Sequence, residues 1–156
     1  MLAQNSASIL DVTPPAVPLP GGEFPRTLKK SATRVLVVDD EQLVRWSIAE
    51  TLRSRGFEVL EATDGRSALE LLDTTEKPPG AVFLDLKLPD YDDLTLLASV
   101  RRLLPKVPVI LMTAFGTPEI TLDAKRLGAF TVLDKPFDLE DLDGLLARAF
   151  VVPQPH

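Results

Sequence analysis

The feature that most narrows the fold is an alternation between two hydrophobic periods. Five short, mostly aliphatic runs lie at Arg34–Asp39, Phe57–Ala62, Ala81–Asp85, Val107–Met112 and Ala129–Asp134. They are too short for helices and read as strands covered on both faces. Helix-period stretches fill the gaps at Gln42–Arg55, Arg66–Thr75, Asp92–Leu103 and Pro118–Leu127, and Asp138–Ala149 closes the series. In the first of these, Val44, Ile48 and Leu52 recur at i, i+4 and i+8, which makes one buried stripe. Trp46 projects roughly opposite that stripe and is expected to pack against the last helix. Gly56 and Gly128 stand where helix C-terminal glycines belong. Asp138 and Asp141 resemble an acidic capping pair at the start of the last helix. Five strand–helix units in series imply an α/β fold with a parallel sheet, helices on both faces and right-handed crossovers.

The stretch VLVVDDE at residues 35–41 places two aspartates and a glutamate directly after a buried strand. Two explanations compete. Asp39 or Asp40 can accept backbone N–H bonds from a helix beginning near Glu41. Alternatively, adjacent carboxylates hold a divalent cation between them. In sheets of this kind, functional groups gather beyond the carboxyl ends of the strands, near the switch point in strand order. The other strand ends bear on the choice. The third run, AVFLD, ends in Asp85; the fourth, VILMT, ends in Thr113; the fifth, TVLDKP, leads into Lys135 and Pro136. Three carboxylates, a hydroxyl and an ammonium therefore converge on one edge. Carboxylates about 5 Å apart repel by about 3 kcal/mol at an effective dielectric of 20. Magnesium relieves that repulsion with hard oxygen ligands and keeps waters exchangeable for phosphoryl oxygens. A carboxylate can also attack phosphorus to form an acyl phosphate, and the transferring group needs a cation and a donor around its oxygens. Lys135 and Thr113 supply these. Taken singly, Lys135 reads as a salt-bridge residue and Thr113 as a satisfied strand-end hydroxyl; together, at four of five strand ends, they read as one site.

Composition removes several alternatives. At 156 residues without cysteine, disulfides, thiolate catalysis and cysteine zinc sites are excluded. The single histidine is His156, the last residue. No apolar run approaches the roughly 20 residues of a membrane span, and no secretory signal is evident, so a cytoplasmic protein is expected. Residues 1–32 hold Pro14, Pro15, Pro18, Pro20 and Pro25 with no helical or strand period, and read as a disordered, proline-rich leader. Its PPAVP stretch has a P-x-x-P spacing that proline-rich linkers often show. Residues 33–150 form the domain, and 151–156 a short tail. The domain carries 14 Lys and Arg against 21 Asp and Glu. That balance opposes approach to a phosphate backbone and disfavours direct nucleic-acid binding.

Across residues 33–150 the stretches VLVVDDE, FLDLKLPD, LMTAFG and LDKPFD follow in the order and spacing of the receiver domain of bacterial two-component response regulators, which the chain resembles. The segments VRWSIAETL and MTAFG are most similar to receivers of the nitrogen-regulation class, which activate enhancer-dependent transcription. The resemblance implies a flavodoxin-like sheet in the order 2-1-3-4-5 with five helices. It makes Asp85 the phosphoacceptor, with Thr113 and Lys135 as its switch and catalytic partners. It assigns Mg2+ as cofactor, held by Asp39, Asp40 and Asp85, with the carbonyl of Lys87 completing the shell. It also implies a cis peptide between Lys135 and Pro136. The implied partners are a sensor histidine kinase or phosphotransfer protein and a downstream protein, with no direct nucleic acid or membrane contact and with phosphorylation-dependent dimerisation through the fourth and fifth helices. Trp46 could then belong to the kinase-docking surface. The ATPase and DNA-binding domains of the nitrogen-regulation class find no counterpart here, so a stand-alone signalling switch, rather than a metabolic enzyme, is expected.

Three positions depart from the family pattern. Val132 stands where an aromatic residue usually rotates inward; Phe130, two residues earlier, is expected on the same strand face and is a substitute candidate. Asp93 replaces a glycine after the P-x-x-D turn, at some cost if the backbone there is left-handed. Phe115 and Lys87 lie two residues beyond Thr113 and Asp85 and can modify water access. The alternatives are a phosphorelay intermediate or phosphate sink, an aspartyl-phosphate phosphohydrolase, and an interaction scaffold that is never phosphorylated. The phosphohydrolase usually needs a second acid where Lys87 stands.

Overall fold

The computed structural model describes residues 33–151; the proline-rich leader and residues 152–156 lie outside the described residues. Five parallel strands run β1 (Arg34–Val38), β2 (Glu58–Ala62), β3 (Ala81–Asp85), β4 (Val109–Thr113) and β5 (Thr131–Asp134), ordered β2-β1-β3-β4-β5. Between them lie α1 (Gln42–Ser54), α2 (Gly65–Thr74), α3 (Thr95–Leu103) and α4 (Pro118–Arg126). A 3-10 turn at Leu139–Asp141 leads into α5 (Leu142–Val151). The sheet order expected from the family resemblance is the one observed.

Strand alternation sorts the core into two halves. Val35 and Val37 of β1, Phe83 of β3 and Ile110 and Met112 of β4 face one side, where Ile48 and Leu52 of α1 and Leu142, Leu145 and Leu146 of α5 cover them. Leu36, Val38, Val82, Leu84, Val109 and Leu111 face the other side, under Ala68 of α2, Leu96, Leu97 and Val100 of α3 and Ala124 of α4. Period 2 in a strand with both faces covered requires this division. Strand order reverses direction between β1 and β3, so their carboxyl ends flank the crevice where ligands gather in such sheets.

Several element ends differ from expectation for identifiable reasons. β1 stops at Val38, although the Asp39 N–H still bonds the Ala62 carbonyl at 3.1 Å. β4 starts after Pro108, which has no N–H to give a ladder, and continues to Thr113, which pairs with Asp134. Helix α3 begins at Thr95 rather than Asp92. The Asp93 carboxylate accepts from the Thr95 N–H at 3.0 Å and its hydroxyl at 2.6 Å, a local turn that glycine could not make. The Asp138–Asp141 capping pair does not form. Asp138 accepts from the Glu140 N–H at 3.0 Å and opens the 3-10 turn instead. Gly56 and Gly128 have φ of 94° and 99°, as helix-terminating glycines require.

Two expectations about aromatic residues are corrected. Trp46 is not buried under the last helix; it is 55% exposed on α1, one turn from the exposed Leu43. Phe130 and Val132 do not share a face. Phe130 sits in a bend before β5 and packs with the α1/α5 half, whereas Val132 packs with the α2/α3/α4 half. Period-2 counting fails there because regular strand geometry begins only at Thr131.

The division of the core gives a direct test. Phe83 is fully buried at the centre of the α1/α5 half. Phe83→Ala is expected to lower unfolding free energy by about 3–5 kcal/mol, read from urea denaturation. Leu43→Ala, on the exposed face of α1, should change it by less than about 0.5 kcal/mol.

Candidate functional site

Asp39, at the carboxyl end of β1, is completely buried, and each of its carboxylate oxygens has a partner. Oδ1 accepts from the Glu41 backbone N–H at 2.9 Å, and Oδ2 accepts from Lys135 Nζ at 2.8 Å. Of the two explanations of VLVVDDE, the capping one is met in part, by the Asp39 bond to the Glu41 N–H, while the other Asp39 oxygen faces an ammonium. The cap is a local turn at the entrance to α1, and the helix itself begins without a side-chain cap from Glu41.

Asp85 ends β3 and is buried. Lys135 follows β5, two strands away, and its Nζ lies 3.3 Å from Asp85 Oδ1. The same ammonium donates to Glu41 Oε1 at 3.0 Å. The peptide after it, Lys135–Pro136, is cis as expected, and its own N–H donates to the Thr113 carbonyl at 2.8 Å. Thr113 is buried at the end of β4, where its hydroxyl oxygen accepts from the Phe115 N–H at 3.1 Å. Phe115 itself is exposed. For Lys87 the observed contact is its backbone N–H, which donates to the Asp85 carboxylate.

The electrostatics show an incompletely compensated cluster. Burial, reinforced by the neighbouring Asp39 charge, raises the Asp85 pKa to about 6, against the pull of Lys135. Burial alone would lower Lys135, but ion pairs with Asp39 and Glu41, and the charge of Asp85, hold it above its ordinary range. The ammonium stays charged while Asp85 retains a tendency to take up a proton.

Asp39, Asp40 and Asp85 each offer a carboxylate oxygen within 4.8 Å of the others, two of them from buried side chains and one exposed. Three carboxylate oxygens this close to one another are a set that could hold one small divalent cation such as Mg2+. The donor set, all hard oxygen, also fits that metal. Glu41, Arg45 and Asp90 were not singled out from the sequence. Glu41 holds Lys135; Arg45 donates to the Asp39 carbonyl at 2.8 Å; the Asp90 carboxylate accepts from the Gly65 and Arg66 N–H groups, both at 2.9 Å, and so caps α2 from the loop after β3. Glu41 and Asp90 lie within VLVVDDE and FLDLKLPD, but nothing in those stretches names their partners.

A family model described as the response regulator receiver domain matches residues 35–147. The regulatory protein AtoC of Escherichia coli K12 is 39% identical over 116 residues, covering 74% of this chain and 25% of AtoC. The chain spans about a quarter of the length of that relative. Sporulation initiation phosphotransferase F of Bacillus subtilis is 32% identical over 109 residues, which is 70% of this chain and 86% of that protein. The crystal structure of the receiver domain of NtrX from Brucella abortus matches with a TM-score of 0.69 at 34% identity, covering 76% of this chain and 98% of the other.

The Asp85 environment predicts a pH-dependent stability change. A carboxyl whose folded pKa lies above its ordinary value of 3.8 destabilises the folded state once ionised. That displacement corresponds to at most about 3 kcal/mol, with the opposing pull of Lys135 already included. Asp85→Asn should therefore stabilise the metal-free protein by about 1–3 kcal/mol above pH 6. That gain should fade as pH falls from 6 toward 4, read from thermal melts across pH.

Proposed function

The chain belongs to the response-regulator receiver family, and from that membership we propose that it accepts a phosphoryl group on Asp85 and thereby switches its affinity for a partner protein. The observation that carries this reading is the convergence of Asp39, Asp40 and Asp85 oxygens within 4.8 Å, with Lys135 Nζ 3.3 Å from Asp85. The phosphodonor is a histidine kinase or phosphotransfer protein, the partner class of receiver domains.

In the transfer, an ionised Asp85 oxygen attacks phosphorus. The P–N bond to the donor imidazole breaks, its electron pair stays on nitrogen, and an acyl phosphate forms. Asp39, Asp40 and Asp85, with the Lys87 carbonyl, are the residues that would hold Mg2+, which supplies neutralising charge and oxygen coordination when bound. Lys135 provides the fixed cation beside Asp85, and Thr113 a hydroxyl that can turn from its Phe115 contact to a phosphoryl oxygen. Thr113 adjoins the loop into α4, so its turning would move residues 113–118. Exposed Trp46 and Leu43 on α1 support a phosphodonor contact there. A cytoplasmic location and phosphorylation-dependent dimerisation belong to the same reading.

A relay role is the second reading. Its support is the likeness to sporulation initiation phosphotransferase F, whose length the match nearly fills. The same likeness supports a receiver acting without appended domains. A phosphohydrolase is less well served, because Lys87 stands where that chemistry needs an acid.

Incubation with Mg2+ and a small acyl phosphate should add one phosphoryl group, detected by intact mass; Asp85→Asn should gain none. Equal labelling of that variant would remove Asp85 from the mechanism. Lys135→Ala should still bind Mg2+ but lose the structural change that follows phosphorylation, read from amide exchange in residues 113–118.

Because Phe130 faces the opposite half of the core, no aromatic residue takes the place of Val132 on its face of β5. The response then runs through Thr113 and Lys135, with a coupling of about 1 kcal/mol between phosphorylation and self-association or partner binding. Val132→Tyr should enlarge it, measured by affinity with and without a phosphoryl mimic. A wild-type coupling of several kcal/mol that the substitution leaves unchanged would dispose of the missing aromatic as a factor.

A further inference from the structure

Arg45 is poorly explained as a surface charge. Its side chain is 14% exposed, on the flank of α1 facing the end of β1. One guanidinium nitrogen donates to the Asp39 carbonyl oxygen at 2.8 Å, and Nε donates to Glu61 Oε1 at 3.1 Å. Glu61 is held in turn: its other oxygen accepts from Arg53 at 3.0 Å, and Arg53 also bonds Glu50 at 3.0 Å. Glu61 sits on β2 opposite Val37 of β1. The guanidinium is thus a brace between β2 and the peptide plane joining Asp39 to Asp40.

That peptide is the one whose orientation matters. The Asp39 side chain is fixed independently by Glu41 and Lys135. Asp40 is exposed, and no side-chain bond to a described residue holds it. Its direction follows from the backbone, through the plane that carries the Asp39 carbonyl. On the amino side, the Asp39 N–H is tied to the Ala62 carbonyl at 3.1 Å. Arg45 supplies the matching tie on the carboxyl side. A planar fork with fixed donor directions can serve a carboxylate and a carbonyl together, which a lysine ammonium does with less directional control.

We propose that Arg45 is a positioning residue for the metal-binding acids: it sets the Asp39–Asp40 peptide so that the Asp40 carboxylate turns toward Asp39 and Asp85. The proposal rests on the reading of those three acids as a Mg2+ site. Its sign distinguishes it from simple electrostatics. A guanidinium near a cation site repels the cation, so a role through charge alone makes Mg2+ binding weaker when Arg45 is present. Positioning makes it stronger.

The test is Mg2+ titration of the full chain by calorimetry, alongside thermal melts without metal and acyl-phosphate labelling at increasing Mg2+. Arg45→Met keeps the aliphatic stem and removes the charge and donors; Arg45→Lys keeps the charge and loses the fork. Expected are about a 10-fold weaker Mg2+ affinity for Arg45→Met, a smaller weakening for Arg45→Lys, and labelling rates that recover toward wild type at high Mg2+. Tighter binding by Arg45→Met with Arg45→Lys unchanged would overturn positioning in favour of charge. Unchanged affinity in both variants, with only a lower melting temperature, would reduce Arg45 to structural support. Should Arg45→Met fail to fold, Arg45→Lys decides between positioning and support by whether its affinity falls. A wild-type chain that binds no Mg2+ is a different result, and it removes the metal site itself.

Discussion

The site depends on one electrostatic relation, the Lys135 ammonium lying between the buried carboxylates of Asp39 and Asp85, at 2.8 and 3.3 Å. Without a cation there, two acids on neighbouring strands β1 and β3 would face each other in a medium poorer than water at dissipating charge. The lysine offsets this only in part: burial first, and the Asp39 charge after it, keep the Asp85 pKa raised. A site left partly uncompensated is suited to its proposed chemistry, because it still favours an added divalent cation and gives the acceptor carboxylate a reason to react. The cost is borne by a parallel sheet whose core strands are buried on both faces.

The same sheet limits how a change at Asp85 can travel. Thr113 and Lys135 are joined through the backbone by the Lys135 N–H to Thr113 carbonyl bond, which ties the end of β4 to the residue after β5. In the following loop, Gly116 packs so closely on Asp134 that a Cβ there would collide with the carboxylate. The loop backbone at Gly116 thus lies directly against the Asp134 side chain at the end of β5. Val132, earlier on β5, joins the packing of the α2/α3/α4 half of the core but has no ring to rotate. The Asp90 cap ties α2 to the loop after β3, adding a second connection from β3 into the helical layer.

The acids themselves were legible in the sequence because strand ends are recognisable: VLVV followed by DDE, FL followed by Asp85, and VLD followed by Lys135 and Pro136 all end abruptly. The sheet class followed from the strand–helix alternation, and the strand order and residue roles from the resemblance of the ordered motifs. Element ends were less legible where a side chain redirected the backbone. Asp93 moved the start of α3 to Thr95 through a turn invisible to hydrophobic periodicity. The bend at Phe130 broke the alternation that would have put it beside Val132.

What the sequence determined alone was therefore local: which runs are buried on both faces, which residues terminate them, and that acids, a hydroxyl and a lysine recur at those termini. What only the tertiary structure decided was partnership. Lys135 and Asp39 are 96 positions apart, and nothing in either segment says that one ammonium serves Asp39, Glu41 and Asp85 together. Arg45 and Glu61 meet only because β2 lies beside β1 with α1 packed across the pair. Trp46 remained outside the core because α5 covers the other side of α1. Periodicity reports how a side chain faces relative to its own backbone, whereas charge partners are chosen by the packing of segments distant in the chain.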